Sequence, residues 1–320
     1  AENAFALSVV EAGSVQPALV AREKAQAVKK TGLLEVIEAK ESLADIGGLD
    51  QLKEWLLQRR PAFSQRARDY GLPVPKGVLI VGLPGTGKSL TAKATAQSLG
   101  VPLLKLDAGR IFAGLVGQSE SNLRSVIQTA EAIAPCVLWC EELEKAFSGT
   151  KSSGSTDGGT TARVFGAFLT WLQEKTKAVF VVATANDVTQ LPPELLRKGR
   201  FDELWFVDLP NDRERESIWQ LVITRHGRDP EQFDLTQLAR ITDGYTGSEI
   251  EAAFTEALFL AFAQEREPSD LDIAKVLTEF VPLSKQMAEQ INGLRQWAKG
   301  RARPATSPVA PERRLRKLAA

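Results

Sequence analysis

Between residue 42 and about residue 210, short apolar runs alternate with amphipathic stretches. The runs Lys76–Gly82, Leu103–Asp107, Cys136–Glu141, Val179–Thr184 and Leu204–Asp208 predict strands. Ser89–Leu99 and the stretch beginning at Glu120 predict helices between them. Strands that alternate with helices in this way predict a parallel sheet covered on both faces. Such sheets bind ligands beyond the carboxyl ends of their strands. From about Asn211 the pattern turns to helix alone, with Glu214–His226, Leu235–Thr242, Ser248–Arg266 and Leu271–Phe280 as four helices. A small helical domain should therefore follow the sheet domain.

The two ends read differently. Residues 1–41 are helix-compatible and charged and predict an arm or the remnant of an upstream region. Residues 286–320 predict a C-terminal helix and a basic, solvated, disordered tail rich in Arg, Pro and Ala. The expected division is thus 1–41, 42–210, 211–285 and 286–320.

The first strand runs straight into Gly82-Leu83-Pro84-Gly85-Thr86-Gly87-Lys88-Ser89, which fits G-x-x-x-x-G-K-[ST]. Gly85 and its neighbours let the backbone approach an anion closely, with successive N–H groups turned inward. The helix that begins at Lys88, Ser89 and Leu90 adds its positive end. Lys88 would reach the β- and γ-phosphates, and the Ser89 hydroxyl would ligate Mg²⁺.

Composition narrows the partners. Lys plus Arg is 40 and Asp plus Glu is 40, so no overall charge calls for nucleic acid or an anionic membrane. No apolar run is long enough to span a bilayer, and the first residues lack the basic flank and apolar core of a secretory leader. A cytoplasmic location is expected. Cys136 and Cys140 are the only cysteines, on one face of one strand and too far apart to bridge, which fits buried thiols in a reducing compartment. His226 is the only histidine, at a helix end, and reads as a surface or capping residue. The chain starts at Ala1 and its single methionine is Met287, so further sequence upstream is expected.

The third predicted strand ends in two acids, Glu141 and Glu142. In phosphate-loop NTPases the strand beside the loop supplies an acid to the metal shell, and a second acid can act as base toward the attacking water. Glu141 is the candidate for the first role and Glu142 for the second.

These features fall in order with Asp45-Ile46-Gly47-Gly48-Leu49, Ala183-Thr184-Ala185-Asn186 and Leu195-Leu196-Arg197-Lys198-Gly199-Arg200-Phe201-Asp202. Together they resemble the AAA clade of the AAA+ ATPases over roughly residues 42–285. The stretch from Glu142 to Phe147, with Thr161–Phe165 and Phe168–Glu174, is similar to the cyanobacterial and chloroplast family known as a hypothetical open reading frame, whose members are longer at the N-terminus.

The resemblance implies an α/β fold: a parallel αβα P-loop NTPase sandwich followed by a small all-helical lid, together an AAA+ module. It implies ATP or ADP with Mg²⁺ as cofactors. Asp45, Ile46 and Gly47 match the segment that packs on adenine. Asn186 matches the polar sensor that holds the lytic water. Arg197 and Arg200 match arginine fingers that reach a neighbouring subunit. Gly247 and Ser248, within Tyr245–Glu249, match the lid turn that closes over the base. Leu115 and Val116 fall where the family grips a protein client in its central channel, although many unfoldases carry an aromatic there. Ser148–Thr161 falls near a second channel loop and reads as mobile. One departure stands out: Glu141 replaces the usual aspartate and moves the carboxylate out by about 1.5 Å.

Two functions follow. One is an ATP hydrolase that forms a ring, a hexamer by analogy, and remodels a protein. The other is a nucleotide-gated scaffold or regulator with little turnover, which Glu141 and the non-aromatic Leu115 and Val116 favour.

Overall fold

In this computed structural model the chain is described at Val28, residues 32–106, Ile111, residues 118–147 and residues 158–308. Seven strands, β1 (Leu34–Ile37), β2 (Gly77–Gly82), β3 (Leu103–Leu106), β4 (Cys136–Cys140), β5 (Val179–Ala185), β6 (Glu203–Val207) and β7 (Arg303–Pro304), form one sheet. Its order is β1-β3-β4-β5-β2-β6-β7; β1 runs antiparallel to β3 and the other pairs are parallel.

The central strands are continuous apolar runs because both faces are covered. Leu79, Val81, Leu138 and Cys140 enter one core, with residues of α4 (Gln118–Ile133) and α5 (Gly158–Glu174). Val78, Ile80, Val137 and Trp139 enter the other, with α1 (Asp50–Arg59) and α3 (Lys88–Leu99); a short helix, α2 (Gln65–Asp69), lies between those two in sequence. Cys136 and Cys140 are buried on the same face and form no disulfide.

The lid consists of α6 (Asp212–Arg225), α7 (Leu235–Ile241), α8 (Gly247–Phe262) and α9 (Asp270–Glu279), around a core of its own built on Trp219, Phe254 and Ile273. Capping boxes start three of these helices, α6, α8 and α9, and two of the three stand at the cleft. Asn211 and Glu214 cap α6, and Thr246 and Glu249 cap α8, so the chain turns sharply at the cleft in both places.

Three expectations are corrected. The acidic strand β4 is not beside β2; β5 lies between them. The upstream arm is not simply helical, because residues 34–37 form the edge strand β1. The segment after the predicted C-terminal helix is not free along its whole length. After α10 (Leu283–Gln286), α11 (Ala288–Ala298) sets Ile291 and Leu294 into the core of the sheet domain, and β7 pairs with β6.

Residues 305–307 then fasten onto α1. Leu52 N–H donates to Ala305 O at 3.2 Å, and Ser307 N–H donates to Asp50 Oδ1 at 2.8 Å. Glu214 joins three segments: it accepts from Leu49 N–H at 3.0 Å, Asn211 N–H at 3.0 Å and Thr306 Oγ1 at 2.7 Å. The sheet domain, the root of the lid and the C-terminal segment thus meet at one buried carboxylate. The last twelve positions of the predicted tail, 309–320, lie outside the described residues.

Candidate nucleotide site

A cleft of about 340 Å³ opens at the carboxyl ends of the strands, between the sheet domain and the lid. Asp45, Ile46, Gly47, Pro84 to Leu90, Glu141, Glu142, Asn186, Gly247 and Ser248 all line it. The expected loop, acids, sensor, base segment and lid turn are therefore brought together.

Gly87 takes φ 90° as the residue before α3, where a side chain would be strained. Lys88 is buried, and its ammonium donates to Gly82 O at 2.8 Å and Leu83 O at 2.5 Å. Burial pulls its pKa down to about 8, partly opposed by Glu144, Glu142 and Glu141. An anion beside Lys88 favours the charged form. Affinity for a triphosphate should therefore be flat below that pKa and fall above it, approaching about tenfold per pH unit. Nucleotide titrations between about pH 7 and about pH 9.5 check this; a flat profile would remove Lys88 from the phosphate contact.

Glu141 Oε1 accepts from Ser89 Oγ at 2.8 Å, so the two candidate metal ligands already meet. These hard oxygen donors fit Mg²⁺. Glu142 sits at φ 48°, an uncommon left-handed conformation for a glutamate. Its N–H donates to Thr184 Oγ1 at 3.1 Å, and its Oε1 accepts from Asn186 Nδ2 at 3.0 Å. Oε2 is paired with Lys145. That hydrogen bond, with the one from Asn186, holds the Glu142 carboxyl below its ordinary value against the opposing effect of burial, so it is ionised at neutral pH.

Glu144, two residues on, was not foreseen. It is buried and accepts from Asn186 N–H at 2.9 Å, which fixes the end of β5. Burial pushes its pKa up.

At the end of the cleft expected to take the base, Asp45 is committed to Ser42, accepting from its N–H and Oγ at 2.7 Å each. This leaves backbone, Ile46 and Gly47 to face the cleft. Gly47 is required by close approach, since a Cβ there would lie 2.4 Å from Ile218 Cγ1. Ile218, Leu221, Val222 and Arg225 line the same end; their spacing of three and four along α6 marks one helix face. That spacing was present in the sequence but gave no sign of which face met the cleft. The lid closes directly on the loop: Ser248 N–H donates to Gly85 O at 3.2 Å, and a Cβ on Gly85 would lie 2.9 Å from Thr246 Oγ1.

Arg197 and Arg200 do not line this cleft. Arg197 is exposed, and the Nε of Arg200 is buried without a hydrogen-bond partner. Leu115, Val116 and residues 148–157 lie outside the described residues, while 158–161, read as loop, belong to α5. His226 caps α6, its Nδ1 3.0 Å from Val222 O.

A glycine-rich loop between strand and helix, with an acid pair and a polar strand end facing it, defines a phosphate-loop protein that binds nucleoside triphosphates. Residues 78–209 match the model of the ATPase family associated with various cellular activities (AAA), and residues 232–274 match the AAA+ lid domain. The chain belongs to the AAA ATPase family, as an AAA domain followed by its lid.

Relatives agree. A protein of Pyropia yezoensis named as the uncharacterized AAA domain-containing protein ycf46 is 49% identical over 290 residues, covering 90% of this chain and 58% of that protein. Its namesake in Guillardia theta is 48% identical over 281 residues, covering 88% and 55%. The ATP-dependent zinc metalloprotease FtsH of Caldicellulosiruptor bescii is 32% identical over 259 residues, covering 76% of this chain and 41% of that protein. The chain spans little more than half the length of the first two. No helix among the described residues is long and apolar enough to cross a membrane.

Proposed function

We propose that this chain hydrolyses ATP to ADP and phosphate, with Mg²⁺, and that it does so as part of a ring, by analogy a hexamer, that remodels a protein partner. The observation that carries the reading is the meeting of Lys88, the Ser89–Glu141 pair and the Glu142–Asn186 pair at one end of a cleft capped by the lid.

In this reading the loop amides and Lys88 hold the triphosphate tail. Asn186 orients a water molecule, and Glu142 takes its proton as the γ-phosphoryl group is transferred. Ser89 and Glu141 would hold Mg²⁺, which supplies charge neutralisation on the phosphates when bound. Arg197 and Arg200 act on the site of the next subunit. The Ser248–Gly85 contact passes the state of the loop to the lid, and Leu115 and Val116 contact the client. The buried thiol of Cys140, pushed up to about 12 by burial, suits a reducing compartment such as the cytoplasm.

The second reading is a nucleotide-gated regulator with slow turnover. It is favoured by one observation, the glutamate at position 141 and its engagement by a lysine. Particle mass measured with a slowly hydrolysed ATP analogue, alongside phosphate release from ATP, separates the two. The hydrolase reading expects a ring that releases phosphate. A ring without turnover supports the regulator, and a monomer in every nucleotide state contradicts both.

A further inference from the structure

Among the described residues Glu141 meets two partners. Its Oε1 accepts from Ser89 Oγ at 2.8 Å, and its Oε2 lies 2.5 Å from Lys105 Nζ. Lys105 stands on β3 opposite Trp139 of β4, two residues before Glu141. Its ammonium sits 4.6 Å from the centre of the Trp139 ring, so ring and carboxylate hold the cation from two sides. Both side chains are largely covered, with 33% of Lys105 and 27% of Glu141 exposed. The longer side chain makes the bridge reachable: an aspartate would draw the carboxylate back by about 1.5 Å.

We propose that Lys105 is an internal counter-ion to Glu141, competing with the divalent cation for that carboxylate and thereby weakening the dependence of nucleotide binding on magnesium. The proposal rests on the ATP-binding reading and deepens it. A carboxylate whose second oxygen is already neutralised attracts a metal less. A fixed ammonium beside the metal side of the cleft also repels a divalent ion. Lys105 is thus a positioning residue, acting on the metal through Glu141.

The test is the affinity of the full chain for a fluorescent ADP analogue, measured once in EDTA and once in saturating Mg²⁺. The ratio of the two affinities is the magnesium enhancement. Lys105→Met removes the charge at similar length and should raise that ratio about three- to tenfold, the size expected for a partly screened charge. Lys105→Arg keeps the charge and should leave it within about twofold. Glu141→Asp withdraws the carboxylate from Lys105 and should raise the ratio as well, so it decides the matter if Lys105→Met does not fold. Unchanged or lower ratios in both charge-releasing variants, with binding in EDTA intact, overturn the proposal. No binding by the unaltered protein in either condition overturns the ATP-binding reading itself.

Discussion

Glu142→Gln should slow ATP hydrolysis by about 10²–10⁴, the usual worth of a positioned general base, while ATP affinity stays the same or tightens. The amide is nearly isosteric and can still meet Asn186 Nδ2 through its oxygen, so the end of β5 keeps its place. What is lost is the capacity to take a proton. The ion pair to Lys145 is lost as well, but Lys145 is mostly exposed and such pairs contribute little. Phosphate release, and nucleotide retained on the protein after gel filtration, measure the two halves of the expectation. A glutamine variant that turns over within about threefold of the unaltered chain would remove Glu142 from the chemistry.

Arg197→Ala should reduce turnover by about 10³–10⁵ with ATP affinity nearly intact, because in the proposed ring its guanidinium would act on a neighbour's phosphates. The placement supports this: Arg197 is exposed and outside the cleft of its own chain. Arg200 is half-buried, with its Nε buried and without a hydrogen-bond partner, and its alanine variant should behave in the same direction. Mixing Arg197→Ala with Glu142→Gln distinguishes a role between subunits from one within a subunit. Each variant alone is inactive, but an intact site on the first can be completed by the arginine of the second, so mixed rings should regain part of the activity. A large loss of nucleotide binding in Arg197→Ala, or mixtures that stay inactive while mixed rings form, would contradict the role across subunits.

The sequence exposed the central sheet because β2, β4 and β5 are buried on both faces and read as unbroken apolar runs. Their neighbours at the rim were hidden for physical reasons. The edge strand β1 has only one fully buried residue, and β7 is two exposed residues with a proline, a residue that an edge position tolerates. The docking of residues 305–307 depends on partners far away in sequence, such as Asp50 for Ser307 and Glu214 for Thr306. Local composition there, rich in Arg and Pro, pointed to a free end instead.

The site shows the same division. Loop, acids, sensor and lid turn were legible because each is a short contiguous motif. Glu144 offered only a spacing of two from Glu142, and nothing local tied Lys105 to Glu141. That pair exists because β3 and β4 are neighbours in register, which places Lys105 beside Trp139.

Every proposed role above requires the loop from Gly82 to Ser89 to hold a triphosphate, and one measurement addresses that directly. Labelled ATP is titrated with Mg²⁺ into the folded chain and into Lys88→Ala, which removes the buried ammonium. Saturable uptake by the unaltered chain, with affinity lowered at least about a hundredfold in the variant, is the predicted result, in line with loss of a charged contact in a largely buried site. No saturable uptake by the folded, unaltered chain at millimolar nucleotide, or equal affinity in both proteins, would contradict it.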